Sequence, residues 1–137
     1  MLLIFQAPGT DEWASGRPVS STKPSSAGGR LASAFCQAGK TRGHYNITNT
    51  VQCFPGKKME PARIRPRDKA PPASVRNQCA RWLREDIEAH EYTRVVVFGS
   101  HAKKAVVALG YANDSRFRFA KHPTGGLSNA ELRAAVA

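Results

Sequence analysis

The chain opens on an unbroken apolar run, Leu2-Leu3-Ile4-Phe5, that stops at Pro8-Gly9. Apolar residues on both alternating faces predict a strand buried from both sides and emptying into a loop. Residues from Ala7 to about Gly29 are rich in Gly, Ser and Pro. They predict a loop too long for a simple connector, and therefore functional or mobile. Leu31 and Phe35 share one face of a helix predicted over Arg30 to Ala38, with Gly39 at its end. His44 to Thr48 reads as a second strand, followed by a loop from Asn49 to Gly56. The stretch from Lys57 to Pro72 mixes charged side chains with prolines. It predicts a flexible surface insertion over 57–72 with no packed element.

From Ala73 to His90 the apolar positions Val75, Cys79, Trp82, Leu83 and Ile87 recur at helical spacing, with Pro72 suited to the first turn. Arg94 to Phe98 is a β-branched run closed by Gly99. Ser100 is expected to cap a helix through Leu109 that Gly110 terminates. Arg116 to Ala120 alternates polar and apolar, as a half-buried edge strand does, and feeds His122-Pro123. The stretch to His122 is short, so this last edge is expected to be trimmed. Ser128-Asn129-Ala130-Glu131 is a capping-box pattern that starts a helix to Val136. Strands and helices alternate, which predicts an α/β fold: three layers, α/β/α, around a four-stranded, mainly parallel sheet. Ligands in such sheets bind beyond the carboxyl ends of the strands. Gln6 to Gly9, Asn49, and His122 to Leu127 fall there.

The length of 137 residues sets one domain, 1–137, as the expectation. The net charge of +11 exceeds what solubility needs and points to a polyanionic partner, first of all DNA. No hydrophobic run approaches the roughly 18 residues that cross a bilayer. The expectation is a soluble, cytoplasmic monomer without a membrane partner. Cys36, Cys53 and Cys79 are odd in number and widely spaced, which argues against a disulfide framework and leaves thiols or remnants of a metal site.

Several segments in order resemble one family. Phe5-Gln6-Ala7-Pro8-Gly9-Thr10-Asp11-Glu12, then Ser15-Gly16-Arg17-Pro18, is similar to the G-E-A-P-G-x-D-E-x-x-x-G-R-P opening of the uracil-DNA glycosylase superfamily, in its thermophile-type, iron-sulfur branch. Tyr45 to Cys53 resembles that branch's Y-I-T-N-V-V-K-C segment with one residue added. Cys79 to Leu83 resembles its C-x-x-x-L helix, Val95 to Ala102 its strand and turn, and His122-Pro123-Thr124 the superfamily's H-P-S/T motif.

The resemblance implies hydrolysis of the N-glycosidic bond of uracil in DNA after the base is flipped from the helix. Asn49 is then the base reader: an amide offers a donor and an acceptor, which match uracil O4 and N3–H and mismatch cytosine. Ala7 and Val19 would line the uracil pocket. His122 would donate to the charge developing on uracil O2, and Asp11 or Gln6 would position water. Backbone amides in the Ala7-Pro8-Gly9 and Thr124-Gly125-Gly126 turns would hold phosphates, with Pro8 and Pro123 part of the DNA-binding segments. Leu127 would be the apolar wedge that fills the place of the flipped base.

Departures from the family pattern define the alternative. Gln6 stands where the family has Glu, Ala7 where another branch has its catalytic Asp, and Val19 where an aromatic stacks on the base. Cys53 and Cys79 match only two of four cluster ligands, so no complete [4Fe-4S] cofactor is expected. A catalytically impaired or inactive DNA-binding derivative of the same fold is therefore the second reading, and a basic nucleoprotein-associated protein without the pocket the third. Outside the family pattern, the preferred reading of Gln6 and Asn49 is as partners of backbone groups at strand ends. His122 before a proline then reads as structural.

Overall fold

The computed structural model describes residues 1–137. Four strands, β1 (Leu2–Phe5), β2 (Asn46–Asn49), β5 (Val95–Phe98) and β6 (Phe117–Ala120), form one sheet in the order β2-β1-β5-β6. Every pair is parallel, with Leu2 opposite Asn46 and Val95, and Val95 opposite Phe117. The sheet is thus wholly parallel, and all its carboxyl ends open at one edge. Strand β6 pairs with β5 at all four of its positions, so the edge expected to be trimmed is full length.

Parallel strands need crossovers, and helices supply them on both faces. Helices α2 (Ala27–Gln37) and α5 (Asn129–Val136) cover one face. There Leu31, Phe35, Leu132 and Val136 pack on Leu3, Phe5, Val96 and Phe98. Helices α3 (Ala73–Glu88) and α4 (Ser100–Ala108) cover the other, where Leu83, Ile87, Ala102 and Val106 meet Leu2, Ile4, Val95 and Val97. The two-residue period of a strand sorts each apolar run between these cores. That is why the runs are unbroken in sequence. No helix is long and apolar enough to cross a membrane.

Local signals set several boundaries. The Ser128 hydroxyl accepts from the N–H of Glu131, whose carboxylate accepts from the N–H of Ser128 at 2.8 Å, completing the expected capping box. Gly39 and Gly110 follow α2 and α4 with φ of 67° and 96°, the left-handed turn that closes a helix. Helix α2 begins three residues earlier than expected because the Ser26 hydroxyl accepts from the N–H of Gly29 at 3.0 Å. Ser100 does not cap α4: it is the first helical residue, and Gly99 occupies the cap position.

Two segments are more structured than their composition suggests. The stretch between Ala7 and Gly29 contains a short helix, α1 (Thr10–Ser15). The insertion contains an antiparallel hairpin in which β3 (Lys57–Lys58) pairs with β4 (Arg67–Asp68). Opposite charges hold it: Glu60 bridges Lys58 at 3.2 Å and Arg67 at 2.6 Å, and Lys57 meets Asp68 at 3.5 Å. Composition counts these charges as repulsive or solvated; the hairpin pairs them.

Candidate active site

Two adjoining cavities, about 310 and 420 Å³, lie at the carboxyl edge of the sheet and share Ala7, Lys57, Asp68, His122 and Thr124. Both volumes fall in the small-ligand range of roughly 300–1,000 Å³. The first adds Phe5, Gly9, Asp11, Glu12, Val19, Ser21 and Lys23; the second adds Gln6, Pro8 and the prolines and cations of the hairpin. The three signatures expected at strand ends therefore meet only in part. Residues after β1 and after β6 come together here, whereas Asn49, at the end of β2, lines neither cavity.

His122 is seated by its neighbours. Its ring stands edge-on to Phe5 at 6.2 Å between centroids, and Phe5 stacks on Phe98 at 4.8 Å. Gly99 and Gly125 flank it. A Cβ on either would approach the Cβ of His122 to 3.4 and 3.3 Å, and the φ of Gly99 is 91°. The backbone N–H of Thr124 donates to Nδ1 of His122 at 3.2 Å, and the Thr124 hydroxyl lies 2.9 Å from the same atom. Nδ1 is therefore an acceptor, and the proton of the neutral ring sits on Nε2. Burial pushes the imidazole pKa below its ordinary value and favours that neutral ring.

The loop after His122 is tied down by Arg30 of α2. Its guanidinium donates to the carbonyls of Pro123 and Leu127, the latter at 2.6 Å, and to Oδ1 of Asn129 at 2.8 Å. Nothing in the spacing of Arg30 distinguishes it from other cations in the sequence, so sequence reasoning missed it. Thr124 two residues after His122 did carry a signal, since Ser and Thr often bond locally at turns.

Asp11 lies in the first cavity. Its Oδ2 accepts from the Ser21 hydroxyl at 2.7 Å, and Lys23 pairs with it at 3.1 Å. The Ser21 hydrogen bond, followed by Lys23, holds its carboxyl below the usual carboxylate range. The Gln6 carbonyl accepts from the Thr50 hydroxyl at 2.7 Å and from the N–H of Val51 at 3.0 Å, extending the β1–β2 ladder. Val19 lines the cavity with φ of 51°, the one non-glycine residue with positive φ. For a β-branched side chain that is a strained backbone. Arg42 donates to the carbonyls of Pro18 and Val19 and holds it there.

Asn49 is 5% exposed and its Oδ1 has no hydrogen-bond partner. It sits directly opposite Phe5 in register, one strand away from the His122 cavity. A buried acceptor without a donor costs about 1–3 kcal/mol.

Four expected DNA contacts require correction. Leu127 is 6% exposed and packs in the core with Leu31 and Leu132, so it offers no free wedge. Pro8 and Pro123 are buried, and neither has a backbone N–H to offer a phosphate. Gly9 faces carboxylates: a Cβ there would lie 2.8 Å from Glu12 Oε2 and 3.1 Å from Asp68 Oδ2. Negative charge on that side opposes a phosphate. Thr124, Gly125 and Gly126 are exposed.

The cysteines do not assemble a donor set. Cys53 is exposed and Cys79 buried, both as free thiols, and no group of three or more His, Cys, Asp or Glu residues is placed to hold a metal. A four-thiolate cluster does not fit these residues.

Against this geometry, the family model described as the uracil DNA glycosylase superfamily matches residues 1–134. The chain belongs to this superfamily. The match runs from before β1 into α5, and makes DNA the partner that the superfamily implies. A comparison with curated proteins returned no match.

Proposed function

We propose that this superfamily member hydrolyses the N-glycosidic bond of deoxyuridine in DNA. The observation that carries the reading is the hydrogen bond from the Thr124 N–H to Nδ1 of His122. It leaves a neutral Nε2–H donor in a cavity at the carboxyl edge of the sheet. Cleavage of the bond releases the uracil N1 electron pair, and the charge delocalises onto O2. A preformed donor at that oxygen stabilises the leaving anion by a few kcal/mol and needs no proton of its own to move.

Asn49 reads the base. Its unpartnered Oδ1 is the acceptor for N3–H, and its Nδ2 the donor to O4. Cytosine, with an acceptor at N3 and a donor at the exocyclic amine, leaves both groups mispaired. Asp11, held ionised by Ser21 and Lys23, orients the water that adds to C1′ of the sugar, with Gln6 beside the second cavity. The exposed Thr124-Gly125-Gly126 turn takes the phosphate next to the flipped nucleotide.

A DNA-binding derivative without catalysis is the second reading. Gln6 and Ala7 supply no carboxylate, and Asp11 is already engaged by two partners. Cleavage of a single-uracil oligonucleotide, revealed by alkali, separates the two. The expected result is cleavage by the wild type and its loss in His122→Ala and Asn49→Ala, with Asp11→Ala impaired. Absence of wild-type cleavage with DNA binding retained would establish the non-catalytic reading.

A further inference from the structure

The insertion hairpin ends in an unusual side chain. Ile64 is 98% exposed, and it sits between Arg63 and Arg65, which are exposed as well. An isoleucine held almost entirely in water contributes no burial to the chain's own fold. The hairpin is nonetheless built to hold it in place. The β3–β4 ladder, the Glu60 bridges to Lys58 and Arg67, and the bond from the Arg63 N–H to the Glu60 carbonyl at 3.0 Å fix the arms and the turn. Pro61 and Pro66 stiffen the connection on either side. The Lys69 N–H donates to the Gly56 carbonyl at 2.8 Å and closes the base of the insertion.

That base stands at the candidate active site. Lys57 and Asp68 line both cavities with His122, and Pro66, Arg67 and Lys69 line the second. The residue expected to act as the wedge, Leu127, is buried in the core. A duplex from which a base is withdrawn leaves a gap, and an apolar side chain inserted there offsets the lost stacking. From the exposure of Ile64, its flanking arginines and the place of its hairpin beside His122, we infer that Ile64 is the duplex wedge, inserted between bases while Arg63 and Arg65 hold the flanking phosphates.

This inference rests on the reading of the protein as a base-flipping enzyme, so its test reads base unstacking and binding apart from cleavage. The probes are a duplex and a single strand of the same sequence, each carrying 2-aminopurine next to uracil, and a matched pair carrying thymine. Wild type, Ile64→Ala and Ile64→Met are titrated against each at one salt concentration. Because Ile64 packs against nothing, the variants keep the fold, which circular dichroism verifies. The expected result for Ile64→Ala is a loss of roughly tenfold or more in duplex affinity, together with the 2-aminopurine fluorescence rise, while single-strand affinity is unchanged. Ile64→Met, which restores an apolar wedge, retains both. Equal duplex binding and fluorescence by wild type and Ile64→Ala, or equal losses on both substrates, overturns the assignment. Failure of the uracil reading shows itself separately, as identical wild-type behaviour on uracil and thymine probes.

Discussion

The backbone N–H of Thr124 points at Nδ1 of His122 across 3.2 Å, and this one contact decides which ring nitrogen carries the proton. The donor is main chain, so it survives any side-chain change at position 124 short of proline. Thr124→Ala is therefore expected to lose only the hydroxyl at 2.9 Å and to cost much less than His122→Ala. The latter removes the proposed transition-state donor, worth about 10²- to 10³-fold in kcat.

The same histidine predicts a pH dependence. Burial lowers its folded pKa, so the folded chain binds this proton less readily than the unfolded chain. Its contribution to stability is fully present above the unfolded value of roughly 6.5 and is lost as the pH falls through the folded value. Titration of the ring by nitrogen NMR is expected to show the Nε2–H tautomer and a midpoint below 6.5. A midpoint at or above the ordinary value contradicts the neutral donor.

Asn49 separates stability from function. Its Oδ1 is buried without a donor, so the nearly isosteric, apolar Asn49→Leu is expected to raise stability by about 1 kcal/mol. Thermal unfolding measures that gain. Uracil cleavage is expected to disappear in the same variant. A fall in melting temperature instead indicates that the amide holds partners in the folded chain.

Arg30 acts through the loop it fastens. Arg30→Lys keeps the charge but not the planar fork that reaches the carbonyls of Pro123 and Leu127 together with Asn129. The expected outcome is faster amide exchange over 125–127 and a lower kcat with KM little changed, since His122 loses its fixed approach. Stability is expected to fall by about 2 kcal/mol, because charged-group hydrogen bonds to buried carbonyls are among the stronger ones.

The +11 charge predicts a steep salt response. Each phosphate neutralised adds about 0.9 to the slope of log affinity against log salt on duplex DNA. Arg63→Ala and Arg65→Ala are each expected to reduce the slope by roughly 1. Binding isotherms from low to high salt measure this, and unchanged slopes place the DNA elsewhere on the surface.

Much of the architecture was legible because it rests on period and punctuation. The apolar runs at Leu2–Phe5 and Val95–Phe98 could only be strands buried on both faces, and Ser128 with Glu131 spelled out the start of α5. Placement was legible for His122, Asp11, Ala7 and Val19, which line one cavity. Sequence could not show which side of a chain segment faces inward in an irregular loop. In sequence Leu127 therefore reads as a free wedge although its apolarity is used by the core, and Gly9 as a phosphate seat although carboxylates of Glu12 and Asp68 lie beside it. The hairpin was illegible for another reason. Its stability comes from pairing Lys57 with Asp68 and Glu60 with Lys58 and Arg67, and composition records charges without their partners.

Closure of the insertion by the Lys69–Gly56 hydrogen bond has an evolutionary corollary. The segment leaves and re-enters the fold at nearly one point, so its tip can be lengthened, shortened or exchanged without disturbing the register of any sheet strand. Closing a longer loop adds only about 0.6 kcal/mol per doubling of its length. The proposed DNA-contacting tip is thereby a detachable cassette, whose length and side chains can change while the packing around the imidazole stays fixed.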